Sequence, residues 1–196
     1  YDPDLLGTLP AQFAATSGMN AIAHAVEGLY AVDGNPIVSL MAEEGIRALA
    51  TALPKGKPGQ DEALYGAWLC GAVLGSVSMA LHHKLCHVLG GTFNMPHAET
   101  HTVILPHATA YNAVGADEAM ARIARALGSK SAAGGLFDLA QRLGAPLSLK
   151  VLGMTEDQLD KAAEIAVANP YPNPRPLDRA AIRTLLDNAF NGRRPA

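Results

Sequence analysis

The sequence predicts an all-α fold, a multi-helical bundle, and three observations carry that expectation. Alanine and leucine abound, aromatic residues make up 5% of the chain and β-branched residues are sparse, a composition that favours helix over strand. Apolar residues return at helical spacing in one segment after another, between glycine and proline stops. No segment alternates strongly enough between apolar and polar residues to be assigned as a strand.

With 196 residues, 49% apolar, 17% charged and a formal charge of -3, the chain suits one domain with a sizeable buried core. It has no basic surplus for nucleic acid or an anionic membrane. The longest apolar run, Ala67 to Leu81, is interrupted by Gly71 and Gly75 and stops short of a bilayer span. Cys70 and Cys86, with no secretory leader and no paired spacing, read as reduced thiols of a cytoplasmic protein. Cys86 is expected to be a buried packing thiol.

The segment Asp2 to Pro10 reads as an interdomain connection. A helix is expected from about Gln12 to Tyr30, carrying Met19, Ile22, Ala23, Val26 and Leu29 at helical spacing, with Asn20 and His24 four apart so that both reach one point. Asp33-Gly34-Asn35-Pro36 is a turn, and Pro36 suits the first position of a second helix running to about Leu53. Lys55 to Gln60 reads as an exposed loop. Asp61 begins a central helix that takes Leu64, Trp68, Leu69, Val73, Leu74, Val77 and Leu81 into the core and then delivers His83 and His87. Gly90 and Gly91 are expected to end it. A further helix starts around His97 to Thr100 and is bent or stopped at Pro106. Asp117 to Leu127, Ser131 to Leu143, Glu156 to Ala168 and Asp178 to Phe190 complete the set. Thr155 to Gln158 fits a capping box, and Pro170 to Pro176 is a proline-rich loop.

Between Met79 and His107 lie six of the seven histidines, His82, His83, His87, His97, His101 and His107; only His24 is elsewhere. Taken singly, each could be a satisfied polar group on a half-buried face. As a set they suggest convergence: His83 and His87 share one helix face, and the turn closed by Pro96 brings His97 back to the same end. Three histidines with an oxygen donor also form a plausible metal set. Amides at the start of the helix near His97 would attract anions.

The segment Ser17-Gly18-Met19-Asn20-Ala21-Ile22-Ala23-His24-Ala25-Val26-Glu27, followed by His83-x-x-x-His87 and Pro96-His97, resembles the C-terminal domain of the iron-containing (group III) alcohol dehydrogenases and the dehydroquinate synthase-like proteins. Asp2-Pro3, Leu9-Pro10 and Asn173-Pro174-Arg175-Pro176 support the resemblance, which covers essentially residues 1–196. It implies a helical, substrate-side domain whose N-terminal α/β nucleotide-binding domain is a separate partner. Gly90-Gly91 and Gly134-Gly135 have no preceding strand and offer no dinucleotide fingerprint. The chain alone is therefore expected to bind NADH or NADPH poorly and to reduce little.

In metal-using members of the family the positions of Asn20, His24, His83 and His97 are Asp, His, His and His, and hold one divalent ion. An amide at Asn20 leaves an all-neutral set with a weaker oxygen donor. Lys84 stands where metal-using relatives commonly have glycine. Both departures resemble a branch that works without metal, reducing a carbon–carbon double bond conjugated to a ketone in a small dicarboxylate. The resemblance then implies His87 and His97 as catalytic residues, His87 also beside the nicotinamide cofactor, and Asn20, His24, His83 and Lys84 as substrate-binding. Lys84 reads equally as a solvated lysine. A homodimer is also implied. Two alternatives stay open: an iron- or zinc-dependent dehydrogenase ligated in part by Asn20, and a non-catalytic helical module that binds a metal or an anion.

Overall fold

A computed structural model describes residues 1–196. It comprises α1 (Ala11–Gly28), α2 (Pro36–Ala52), α3 (Gln60–Leu74), α4 (Leu81–Phe93), α5 (His97–Asn112), α6 (Asp117–Leu127), α7 (Ala132–Arg142), α8 (Gln158–Ala168) and α9 (Arg179–Phe190), with short 3-10 turns and no strand. Several starts are capped by residues adjacent in sequence, as the composition of the turns suggests. Asn35 Oδ1 accepts from the Ile37 and Val38 amides ahead of Pro36, Ser131 caps Gly134 N–H, and Asp178 caps Ala181 N–H at 2.7 Å. The capping box at Thr155 is half formed: Gln158 Oε1 accepts from Thr155 N–H, while α8 itself begins at Gln158.

Four expectations are corrected. The central helix is two helices, α3 and α4, parted at Gly75 to Ala80. In that link the Ser78 N–H and hydroxyl both donate to the Asp33 carboxylate. Trp68 and Leu74 leave the core, 49% and 40% exposed. Gly90 and Gly91 lie inside α4, which stops instead at Asn94, whose φ of 55° places it in the left-handed region that asparagine tolerates best after glycine. Pro106 sits within α5, which continues to Asn112.

Helices α1, α2, α3, α6 and α7 gather one apolar core around Met19, Ile22, Ile46, Leu49, Val73, Ile123, Leu136 and Leu139. Helices α4, α5, α8 and α9 gather another around Leu81, Leu85, Leu89, Ile104, Leu159, Ile182 and Leu186. In the first core α1 comes close to α3: a Cβ added at Gly28 would lie 2.3 Å from Val73 Cγ1, so only glycine fits there. α5 joins the two cores, sending Leu105 to one and Ile104 and Ala108 to the other. The seam between them runs where α1 meets α4 and α5, and the histidines fall on it. No helix is long and apolar enough to cross a membrane.

Candidate active site

Three helices each bring polar side chains to the seam at helical spacing. Asn20, His24 and Glu27 come from α1, His83 and His87 from α4, and His97 and His101 from α5. His24 stacks on His83 with ring centroids 5.0 Å apart and planes at 29°. His87 lies edge-on to His83 at 6.3 Å. His101 meets His83 edge-on at 5.0 Å and His97 at 4.1 Å. Thus His24, His83, His87 and His97 gather as expected, and His101 links His97 to the rest. His24 and Asn20 are half-buried, His83 and His101 buried, and His87 and His97 exposed.

The link from α3 delivers α4 against a buried carboxylate. Glu27 is 0% exposed, and its oxygens accept from the backbone N–H groups of Ala80 at 2.9 Å and His82 at 2.7 Å. A third bond comes from His83 Nδ1 at 2.7 Å. The N-terminal amides of α4 thus hold a negative charge supplied by α1, which compensates the cost of burying it. Asn173 adds to the same start: its Oδ1 accepts from Leu81 N–H at 3.3 Å, and it pairs with Asn112 of α5. The Asn173 to Pro176 motif therefore steadies the helix that carries His83 and His87.

Four of the rings, His24, His82, His87 and His101, are pushed toward the neutral form. Burial, then His83 and His97, pushes His24 down to about 4. Burial and the neighbouring rings push His101 to about 2 and His82 well below its ordinary value. His87 is lowered by burial, then by His83, His97 and Lys84. Clustered cations would repel one another in a poorly solvated seam, so each of these rings keeps one N–H and one lone pair. Asn20 Oδ1, His83 Nε2 and both nitrogens of His101 are buried without a partner in the chain.

Lys84 does not lie free on a helix face: it is half-buried, its ammonium 5.7 Å from the centre of the Tyr171 ring. His82 belongs to the floor of the cluster, its Nε2–H donating to the His101 carbonyl at 3.0 Å. His107 stands apart and lines a groove of about 560 Å³ with Tyr111 and Arg175. Another cavity, of about 530 Å³, opens beside Tyr30, Met79 and Asn173. Neither is lined by the clustered histidines, whose exposed members lie on an open face. Cys86 is buried beside His82, as a packing thiol, its Sγ 3.6 Å from the His82 ring. Sequence reasoning assigned no role to His82, counted only as part of the histidine-rich stretch, nor to two further members of the site, Glu27 and His101. Both were signalled by spacing, in His24-x-x-Glu27 and His97-x-x-x-His101.

The donors fit a divalent ion poorly. The carboxylate nearest the rings, Glu27, has both oxygens committed to N–H donors, and an uncharged amide stands at Asn20. His82, His83 and His101 are the one set of three His, Cys, Asp or Glu side chains with ligand atoms within 4.8 Å of one another; His24, His83 and His97 do not form such a set. In that trio His82 Nε2 and His83 Nδ1 are already donating. The remaining His82 lone pair faces His83 Nδ1 at 3.3 Å, not the free Nε2. The lone pairs therefore do not meet at one point.

Residues 14–190 match the Fe-containing alcohol dehydrogenase family, C-terminal. The chain is 62% identical to a maleylacetate reductase of Burkholderia cepacia and 61% identical to one of Sphingobium indicum, over 100% of this chain and 57% of each relative. It therefore spans little more than half the length of these curated relatives. Among solved structures, maleylacetate reductase from Agrobacterium tumefaciens superposes with a TM-score of 0.97 at 54% identity, covering 100% of this chain and 57% of that one. Iron-containing alcohol dehydrogenase from Corynebacterium glutamicum gives 0.94 at 41% identity, with the same coverage.

Proposed function

The chain belongs to the Fe-containing alcohol dehydrogenase family, matching its C-terminal part, and from that premise we propose that it is the substrate-side domain of a maleylacetate reductase. The observation that carries the reading is the seam itself, a group of clustered imidazoles whose neighbouring carboxylate, Glu27, is already committed to N–H donors, in a chain 49–62% identical to maleylacetate reductases. The reaction is the reduction of maleylacetate to 3-oxoadipate by NADH or NADPH, a step in the breakdown of aromatic compounds.

Hydride from the nicotinamide adds to the alkene carbon β to the ketone, and the alkene electron pair moves onto the ketone oxygen as an enolate. A proton on the α carbon completes 3-oxoadipate and leaves the oxidised nicotinamide. Charge of this kind needs hydrogen-bond donors more than a Lewis acid. His87 and His97 are the exposed members of the cluster, within reach of a substrate on the open face, and we assign them donation to the enolate and delivery of the proton. His87 would also help to hold the nicotinamide. Asn20, His24 and His83 form the floor. Lys84, beside Tyr171, takes one substrate carboxylate, and no step passes through a metal.

In this reading the nicotinamide is held mainly by an N-terminal α/β nucleotide-binding domain that closes over the open face, the protein is a cytoplasmic homodimer, and residues 1–196 are the helical half. Support comes from the relatives' greater length and from the exposure of His87 and His97. The test is reduction of maleylacetate by the full-length protein, followed at the nicotinamide absorbance, with and without chelator. Chelator-resistant turnover is expected; turnover abolished by chelator and restored by a divalent ion overturns the metal-free reading.

A further inference from the structure

We infer that Glu27 is a positioning residue that fixes His83 as the Nδ1–H tautomer, so that its Nε2 lone pair is presented at the seam as an acceptor. The inference rests on the reading of this seam as the substrate side only for its functional consequence.

Backbone amides can only donate, and the Glu27 carboxylate accepts from two of them, Ala80 and His82, with a third, His83 N–H, at 3.4 Å. The group is therefore held as an acceptor by the N-terminus of α4 and cannot turn a donor toward His83. The 2.7 Å contact to His83 Nδ1 must carry its proton on the imidazole. An independent neighbour makes the same demand. His82 commits its Nε2–H to the His101 carbonyl, which leaves a bare Nδ1 facing His83 Nδ1 at 3.3 Å. Two acceptors on one side of His83 place its lone pair on the other side, at Nε2, which is buried and unpartnered. A carboxylate that orients an imidazole from behind is the usual way to hold such a ring's tautomer.

The consequence is for specificity. A lone pair at His83 Nε2 receives a group with protons to give, a hydroxyl or an ordered water, and repels a carboxylate or ketone oxygen. The substrate's charged and reacting oxygens are thereby directed away from His83 and toward His87, His97 and Lys84.

The experiment is the two-bond proton–nitrogen correlation spectrum of the ¹⁵N-labelled 196-residue chain at neutral pH, with His83 assigned by the signals lost in His83→Gln. The expected result is a protonated Nδ1 and a bare Nε2, and in Glu27→Ala, with helical circular dichroism retained, an Nε2–H form detected beside the Nδ1–H form that the His82 acceptor alone still favours. A protonated Nε2 in the unaltered chain, or an unchanged tautomer in a folded Glu27→Ala, overturns the inference. Should Glu27→Ala fail to fold, the unaltered chain decides alone. A full-length protein inactive on maleylacetate whose His83 shows the expected tautomer sinks the reductase reading and supports this one.

Discussion

Asn112 and Asn173, 61 residues apart, exchange two amide hydrogen bonds, at 3.1 and 2.7 Å. The pair fastens the proline-rich loop to α5, and Asn173 Oδ1 reaches on to the first turn of α4. Asn173→Ala removes these bonds and leaves the buried Asn112 amide short of partners. A loss of about 1–3 kcal/mol in unfolding free energy is expected, read by urea denaturation. Because the loop steadies the helix carrying His83 and His87, turnover of the full-length protein should fall as well. A variant as stable as the parent would show that the loop is held by its other bonds, from the Tyr111 hydroxyl to the Pro176 carbonyl and from Arg175 to the Tyr111 carbonyl.

Replacing a reacting donor should have a different signature. His87→Ala and His97→Ala leave both apolar cores untouched, since both rings are exposed. Each should lower kcat of the full-length protein by about 100-fold or more, with the melting temperature unchanged. A drop confined to KM would place the ring in binding only.

His107 provides a pH test away from the site. Burial holds it at about 4 against an ordinary 6.5, and it is 4% exposed. The unfolded chain takes up this proton as pH falls through 6.5, the folded chain only near 4. The contribution to stability is therefore complete above about 6.5 and is lost between 6.5 and 4, amounting to at most about 3 kcal/mol. His24 and His101 act in the same direction. His107→Leu should flatten the dependence measured by denaturation between pH 7 and 4; an unchanged slope would mean the ring is solvated in solution.

The elements legible in the sequence are those whose signals are local. Asp117–Leu127 lies where its apolar repeat put it, and Asn35, Ser131 and Asp178 cap helices within three residues of themselves. The break between α3 and α4 was illegible for the opposite reason. The start of α4 is capped by Glu27 and Asn173, 53 and 92 residues away from the amides they hold, and no local pattern records that. Gly90 and Gly91 misled because glycine in a helix is only weakly disfavoured, while Asn94 takes the left-handed position. In the site, four-residue spacing on helices was sufficient for His24, His83 and His87. His107 shared the histidine-rich stretch but not the place, since ten residues of helix carry it about 15 Å along α5 from His97. Glu27 escaped notice because its partners are on another helix.

Asn20 decides how the seam treats a cation. Its amide oxygen is buried and unpartnered, a hydrogen-bond acceptor without charge, and the Lys84 ammonium, which acts on His87, adds a charge that opposes a positive ion. A carboxylate in its place would add a hard, charged oxygen beside His24 and His83 and draw in a divalent ion that the imidazoles alone hold weakly. Asn20→Asp should therefore bind Zn²⁺ or Fe²⁺ about tenfold or more tightly than the parent, about 1.4 kcal/mol, by calorimetry on the chain, and should retain metal through dialysis by elemental analysis. The parent, purified without chelator, should carry well under one ion per chain. If the parent keeps a stoichiometric ion, or if Asn20→Asp gains nothing, the neutral amide is not what separates this seam from a metal centre, and the metal-free mechanism loses its physical basis.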